Sequence, residues 1–121
     1  MPRPILDESR IDSAIRDQVA RYQPTILNEV MAAVSSKPVV IVGMRQNPFP
    51  RKARRALDEA GIGYEYLEYG SYFGMWRQRL ALKMWTGWST FPMVFVKGVL
   101  IGGFTELQKM IASGELKSRL A

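Results

Sequence analysis

The run Val39-Val40-Ile41-Val42-Gly43 constrains this chain more than any other feature. A β-branched run this short reads as a strand. It has no polar alternation, so it must be buried on both faces of its sheet. The flanking sequence offers helices to cover both faces. Downstream, Pro50 suits a first helical position, and helix is expected to about Ala60, with Ala53, Ala56, Leu57 and Ala60 turned to the core. Gly61 is a left-handed stop, and Tyr64 to Leu67 reads as the next strand. A strand, a helix and a strand in that order imply a parallel pair with a right-handed crossover.

Asp7 to Tyr22 reads as an amphipathic helix, with Ile11, Ile15 and Val19 recurring every four residues. That stripe must cover its own domain or a second copy. Pro24 interrupts it, and Thr25 is expected to cap a second helix to about Ser35. Met44 to Phe49 reads as a loop. Beyond the second strand, Gly70 and Gly74 bracket another loop, and a helix is expected from about Met75 to Trp85. Met93 to Val96 and Val99 to Ile101, joined by Lys97-Gly98, form a hairpin. Gly102-Gly103 closes it. Thr105 is then expected to cap the last helix, with Gln108 in the capping-box position and Gly114 at its end. These elements predict an α/β fold, a four-stranded mixed sheet between helices. The expected division is an N-terminal helical extension, 1–23, and one domain, 24–121.

The chain has 121 residues, no cysteine and no histidine. A disulfide, a thiolate nucleophile and a Cys-ligated cluster are therefore excluded, as are Cys/His zinc sites and Ser-His-Asp or Cys-His machinery. No metal site is expected. No apolar run approaches the ~20 residues of a membrane span. Met1-Pro2-Arg3-Pro4 lacks a secretory signal, so a cytoplasmic location without membrane association is expected. The formal charge is +6, concentrated at Arg45, Arg51, Lys52, Arg54 and Arg55 and again at Arg77, Arg79 and Lys83. The first group reads as a solvated helix face or an anion site. No recognised nucleic-acid motif accompanies it.

Three segments carry a family resemblance. Ile41 to Ala53 is similar to the glutaredoxin strand that enters Cys-Pro-Tyr-Cys-x-x-Ala, with Asn47 and Pro50 standing where the two cysteines would be. Trp88-Ser89-Thr90-Phe91-Pro92 resembles the Trp-Pro-Thr-Ile-Pro of monothiol glutaredoxins. Ile101 to Glu106 resembles their Val-Gly-Gly-Cys-Asp. The likeness runs from about Thr25 to the C-terminus and implies a thioredoxin-like fold with a cis-proline at Pro92.

The resemblance also implies a glutathione groove with Arg45, Asn47, Phe49, Lys83, Phe91, Pro92, Gly103, Phe104 and Thr105 as its ligand-binding residues. The Phe91 backbone would pair with the cysteinyl part of glutathione as an added strand. Gly103, Phe104 and Thr105, at a helix start, would hold the γ-glutamyl carboxylate. Lys83 would hold the glycine carboxylate. Two positions depart from the family: its lysine before the active loop is Met44, and its aspartate after the Gly-Gly turn is Thr105. With Asn47 and Pro50 in place of sulfur there is no catalytic residue for thiol–disulfide exchange, and Asn47 reads as a helix cap instead.

The expected function is a redox-inactive, glutaredoxin-like module that binds glutathione, a peptide or a protein partner and requires no cofactor. A homodimer through the N-terminal helix is a further expectation. Tyr72, Phe73, Trp76, Trp85 and Trp88 read as core, groove wall or partner surface. Two alternatives stand beside this reading. One is a cysteine-free transferase that holds a glutathione conjugate, with Tyr72 or Ser89 activating the thiol. The other is a basic nucleic-acid-associated protein.

Overall fold

The computed structural model describes residues 2–121; Met1, the first residue of the expected extension, lies outside them. A single four-stranded sheet organises the chain. Its strands are β1 (Val39–Gly43), β2 (Glu65–Glu68), β3 (Met93–Val96) and β4 (Val99–Gly102), in the order β2-β1-β3-β4. β1 runs parallel to β2 and antiparallel to β3, and β3 pairs antiparallel with β4. This is the mixed, thioredoxin-like arrangement that the resemblance implies.

All of β1 is buried, as its uninterrupted apolar run requires. Its side chains divide between two cores. Val40 and Val42 meet Ile26 and Val30 of α2 (Pro24–Ser36) and Leu82 of α4 (Trp76–Thr86). On the other face, Val39 and Ile41 meet Ala53 and Leu57 of α3 (Pro48–Ala60), Leu107 and Met110 of α5 (Phe104–Ala112) and Leu116 of α6 (Glu115–Leu120). Leu57 is fully buried between β1 and α5, and truncating such a side chain to alanine costs about 2–5 kcal/mol.

Several boundaries move from the sequence expectation. The helix expected over Asp7 to Tyr22 is a 3-10 turn, Glu8–Arg10, followed by α1 (Ser13–Ala20). Asp12 splits it: its carboxylate accepts from the Ala14 N–H at 2.8 Å and so starts a new helix. Ile15 and Val19 remain 46% exposed, and α1 buries no residue. Pro24 opens α2 rather than merely ending the helix before it, and Thr25 does not cap. α3 begins at Pro48, not Pro50, because Asn47 is already its cap. Thr105 lies inside α5, whose start is Gly103. The capping carboxylate is that of Glu106, not Gln108: Glu106 Oε1 accepts from the Gly103 N–H at 3.0 Å. α6 follows Gly114, where only a stop was expected.

Two local features fix how the elements join. Lys97 and Gly98 both have positive φ, which fits the twist of a two-residue hairpin. Gly43 lets α3 reach the end of β1, since a Cβ there would stand 2.7 Å from the Pro50 Cβ and 3.0 Å from the Tyr66 ring.

Candidate functional site

The end of β1 delivers the chain to Asn47, and the cap sets where α3 points. Asn47 Oδ1 accepts from the Phe49 N–H at 2.9 Å, which fixes the first turn of α3. The same side chain reaches across the sequence: its Nδ2 donates to the Phe91 carbonyl at 3.0 Å. One amide therefore joins the start of α3 to the loop before β3. Pro50 is buried against Gly43 and is part of the packing.

The second wall is the loop that ends in the cis Phe91–Pro92 peptide, together with the start of α5. Phe91 is 5% exposed. The first N–H groups of a helix have no intrahelical acceptor, and at α5 Glu106 takes up one of them, that of Gly103. The N–H groups of Phe104 and Thr105 lie in the same first turn and carry the positive end of the helix dipole. Behind this turn the Trp88 indole N–H is buried, with no protein partner among the described residues.

Between the walls lies a groove of about 400 Å³. It brings together Asn47, Phe49, Phe91, Pro92, Gly103, Phe104 and Thr105 of the residues expected to bind ligand. Lys83 and Arg45 are not in its lining. The Lys83 ammonium stands over the Phe91 ring, 5.7 Å from its centre, at the edge of the groove. Arg45 points elsewhere: its guanidinium faces Glu68 at 3.7 Å while its backbone N–H bonds Gly70.

The structure adds Tyr72, Trp88 and Glu106 to the lining. Tyr72 and Trp88 belong to the aromatic set noted in the sequence, but which of that set would face the groove was not legible there. Tyr72 sits on a tight turn in which the Gly74 N–H bonds the Ser71 carbonyl. Arg79 pins this turn from below, donating to the carbonyls of Tyr69 and Gly74. It is buried, and burial lowers its pKa. Of the first basic group, expected as a solvated face or an anion site, Arg54 lies over the Tyr66 ring at 4.1 Å. Ser89 is exposed and outside the groove lining, so of the two side chains considered for a transferase only Tyr72 is placed there.

A larger cleft of about 740 Å³ opens at the other end of β1, among Lys37, Ala60, Tyr64, Lys97 and Lys117. It gathers element ends and solvated lysines and has neither an aromatic wall nor a helix start. The smaller groove is the better candidate because backbone donors and aromatic rings converge there, with Lys83 over the ring of the lining residue Phe91.

Comparison with known proteins bears on the same region. A family model described as Glutaredoxin matches residues 39–101, which include the start of α3 and the Phe91–Pro92 loop and end just before the start of α5. A glutaredoxin-like protein of Dictyostelium discoideum is 45% identical over 102 residues, covering 84% of this chain and 83% of that protein. The chloroplastic glutaredoxin-C4 of Oryza sativa subsp. japonica is 33% identical over 90 residues, with 74% and 68% covered. Among solved structures, oxidized glutaredoxin 2 of Chlamydomonas reinhardtii has a TM-score of 0.69 at 28% identity, over 80% of this chain and 92% of its own. The buckwheat glutaredoxin–glutathione complex has a TM-score of 0.67 at 24% identity, covering 80% and 88%, a likeness of fold.

Proposed function

The chain belongs to the glutaredoxin family, and we propose that it is a thiol-free member that binds glutathione or a glutathione-like peptide without reacting with it. The observation that carries this reading is the groove itself. Its lining gathers Phe91 and the first turn of α5, with Lys83 outside the lining over the Phe91 ring, and these are residues that the family resemblance assigns to a tripeptide's cysteinyl and carboxylate groups, which supports the reading. The chemistry follows from the residues. Thiol–disulfide exchange needs a sulfur nucleophile, and the chain has none. At the start of α3, where the helix dipole would stabilise a thiolate, the amide of Asn47 neither ionises nor attacks.

Calorimetry with reduced glutathione tests this function. Saturable binding is expected, weakened about tenfold or more by Lys83→Glu, which would set a carboxylate against the ligand's own. No heat at millimolar ligand would overturn the reading. A hydroxyethyl-disulfide assay should show no turnover above buffer.

A protein-docking reading rests on a separate observation. Phe73, on the turn beyond Tyr72, is 91% exposed, and Trp76, at the start of α4, is 56% exposed. Aromatic groups left in water in this way are frequent anchors at interfaces. The half-exposed Ile15 and Val19 of α1 would be the corresponding surface for a second copy. Sedimentation across a range of concentrations separates a self-associating chain from a monomer that recruits something else.

A further inference from the structure

We infer that the groove is built for a thiol-capped ligand: a glutathione whose sulfur already carries an apolar substituent, held as a thioether. The inference rests on the glutathione reading above and names the ligand class for that site.

It begins with Asn47, whose amide ties the two walls together. Its oxygen accepts from the Phe49 N–H and one of the two Nδ2 hydrogens goes to the Phe91 carbonyl. A single N–H of that side chain is left to meet a ligand sulfur, a neutral donor and not a charged one. The Phe91 carbonyl is the acceptor that a bound tripeptide's cysteinyl N–H would use in strand-like pairing. Asn47 already supplies one donor there and one lone pair remains, so the backbone grip on the cysteinyl unit is the same whether or not its sulfur is capped, and the choice between the two forms falls to what surrounds the sulfur.

What the groove offers in return is carbon. Phe49 is 47% exposed and Tyr72 61%, and both line the same space as Phe104. The Phe49 and Phe104 rings stand 6.2 Å apart, centre to centre. Tyr72 is held in place by its turn, which Arg79 fastens from beneath. Exposed aromatic surface of this kind gains free energy when an apolar group covers it. A thioether sulfur is itself a favourable neighbour for ring edges. A thiolate would have to give up its hydration to occupy the same place. The aromatic wall thus rewards the form of the ligand that cannot exchange, in keeping with a chain that has no thiol to offer.

Calorimetry on the intact chain with reduced glutathione and with S-benzylglutathione decides the matter. The benzyl thioether should bind about tenfold tighter or better. Tyr72→Ala, an exposed turn residue whose loss should leave the circular dichroism spectrum unchanged, should bring the ratio of the two constants down to about two. If the wild-type ratio is within about twofold while glutathione itself binds, this inference falls and the glutathione reading stands. If a clear preference survives unaltered in folded Tyr72→Ala and in folded Phe49→Ala, the aromatic wall is not its source and the inference falls again. If neither ligand gives heat at about 10 mM, both readings fall together.

Discussion

One wall of the groove is the start of α3, and the other is the Phe91–Pro92 loop with the start of α5. Both are helix N-termini brought to the same end of the sheet, and they are finished in different ways. At α3 a side chain does the capping: Asn47 accepts from the Phe49 N–H and donates to the Phe91 carbonyl, so both ends of its amide are tied to the protein. At α5 no side chain stands at the cap, because the residue is Gly103, and Glu106 reaches back from inside the helix to its N–H. The first wall is finished by a side chain, whereas at the α5 end of the second the N–H groups of Phe104 and Thr105 are backbone donors that no side chain caps. In a glutaredoxin frame the first wall would hold the reacting sulfur and the second would hold the ligand. The contrast teaches that reaction and recognition are carried by separate pieces of chain, so one can be lost while the other persists.

The largest effect should come from the first wall. Asn47→Cys places a thiol at the α3 N-terminus, where the dipole and the nearby Arg51 and Lys52 favour the thiolate. It also releases the Phe91 carbonyl. Hydroxyethyl-disulfide reduction with glutathione should rise from the buffer rate to at least about a hundredfold above it. A folded Asn47→Cys protein that stays at the buffer rate would mean that the second wall no longer holds glutathione, and the proposed division of roles would fail.

The second wall can be filled instead. Gly103 has extended backbone, and a Cβ there would lie 3.3 Å from the Pro92 carbonyl and 3.6 Å from the Trp88 indole nitrogen. Gly103→Val should therefore narrow the groove and weaken glutathione binding about tenfold or more. Equal affinity in the variant would show that ligand does not approach this turn.

Stability should follow the two finishes as well. Asn47→Ala removes a cap and a half-buried hydrogen bond and should cost about 1–2 kcal/mol in urea unfolding. Thr105→Ala should lie within about 0.5 kcal/mol of wild type, since Thr105 is exposed and caps nothing. Similar losses in both would erase the distinction between a side-chain cap and a glycine start.

How legible this was in the sequence depends on what each residue's role required. The β1 run could only be a doubly covered strand, and Gly61 and Lys97-Gly98 punctuate their elements through backbone preference alone, so these were plain. Asn47 as a cap was legible too, because a cap is a local matter of three residues. Its second bond, to Phe91 across 44 positions of chain, was not, since nothing local announces it. Thr105 misled for the opposite reason. Threonine is a good cap by propensity, but Gly103 followed by Glu106 three residues on offered a competing start, and that start is the one used. Arg54 resembled surface charge, and Arg79 was counted only as one of a basic group, because sequence does not distinguish a solvated guanidinium from one laid over a ring or under a turn. Tyr72 entered the groove through the geometry of a tight turn, which no periodicity encodes.

The smallest expected effect tests how firmly the α3 wall is backed. Behind Pro50 and Gly43 lies Tyr66, on β2, whose hydroxyl donates to Glu68 at 3.0 Å. Burial, then the bond to Glu68 and that residue's charge, push its pKa up to about 12. Tyr69 is shifted in the same direction, by burial and by donating to Glu29. The sign follows from proton counting. Above about pH 10 an unfolded tyrosine loses its proton while the folded one keeps it, so the unfolded state gains. The contribution is complete below about pH 10 and is lost as pH climbs through about 12. Thermal unfolding should therefore show Tm declining over that interval, less steeply in Tyr66→Phe and Tyr69→Phe. Lysine deprotonation acts on all three proteins alike, so the difference between them is the readout. Parallel curves would mean that neither hydroxyl is held, and that the α3 wall draws no support from the Tyr66–Glu68 bond.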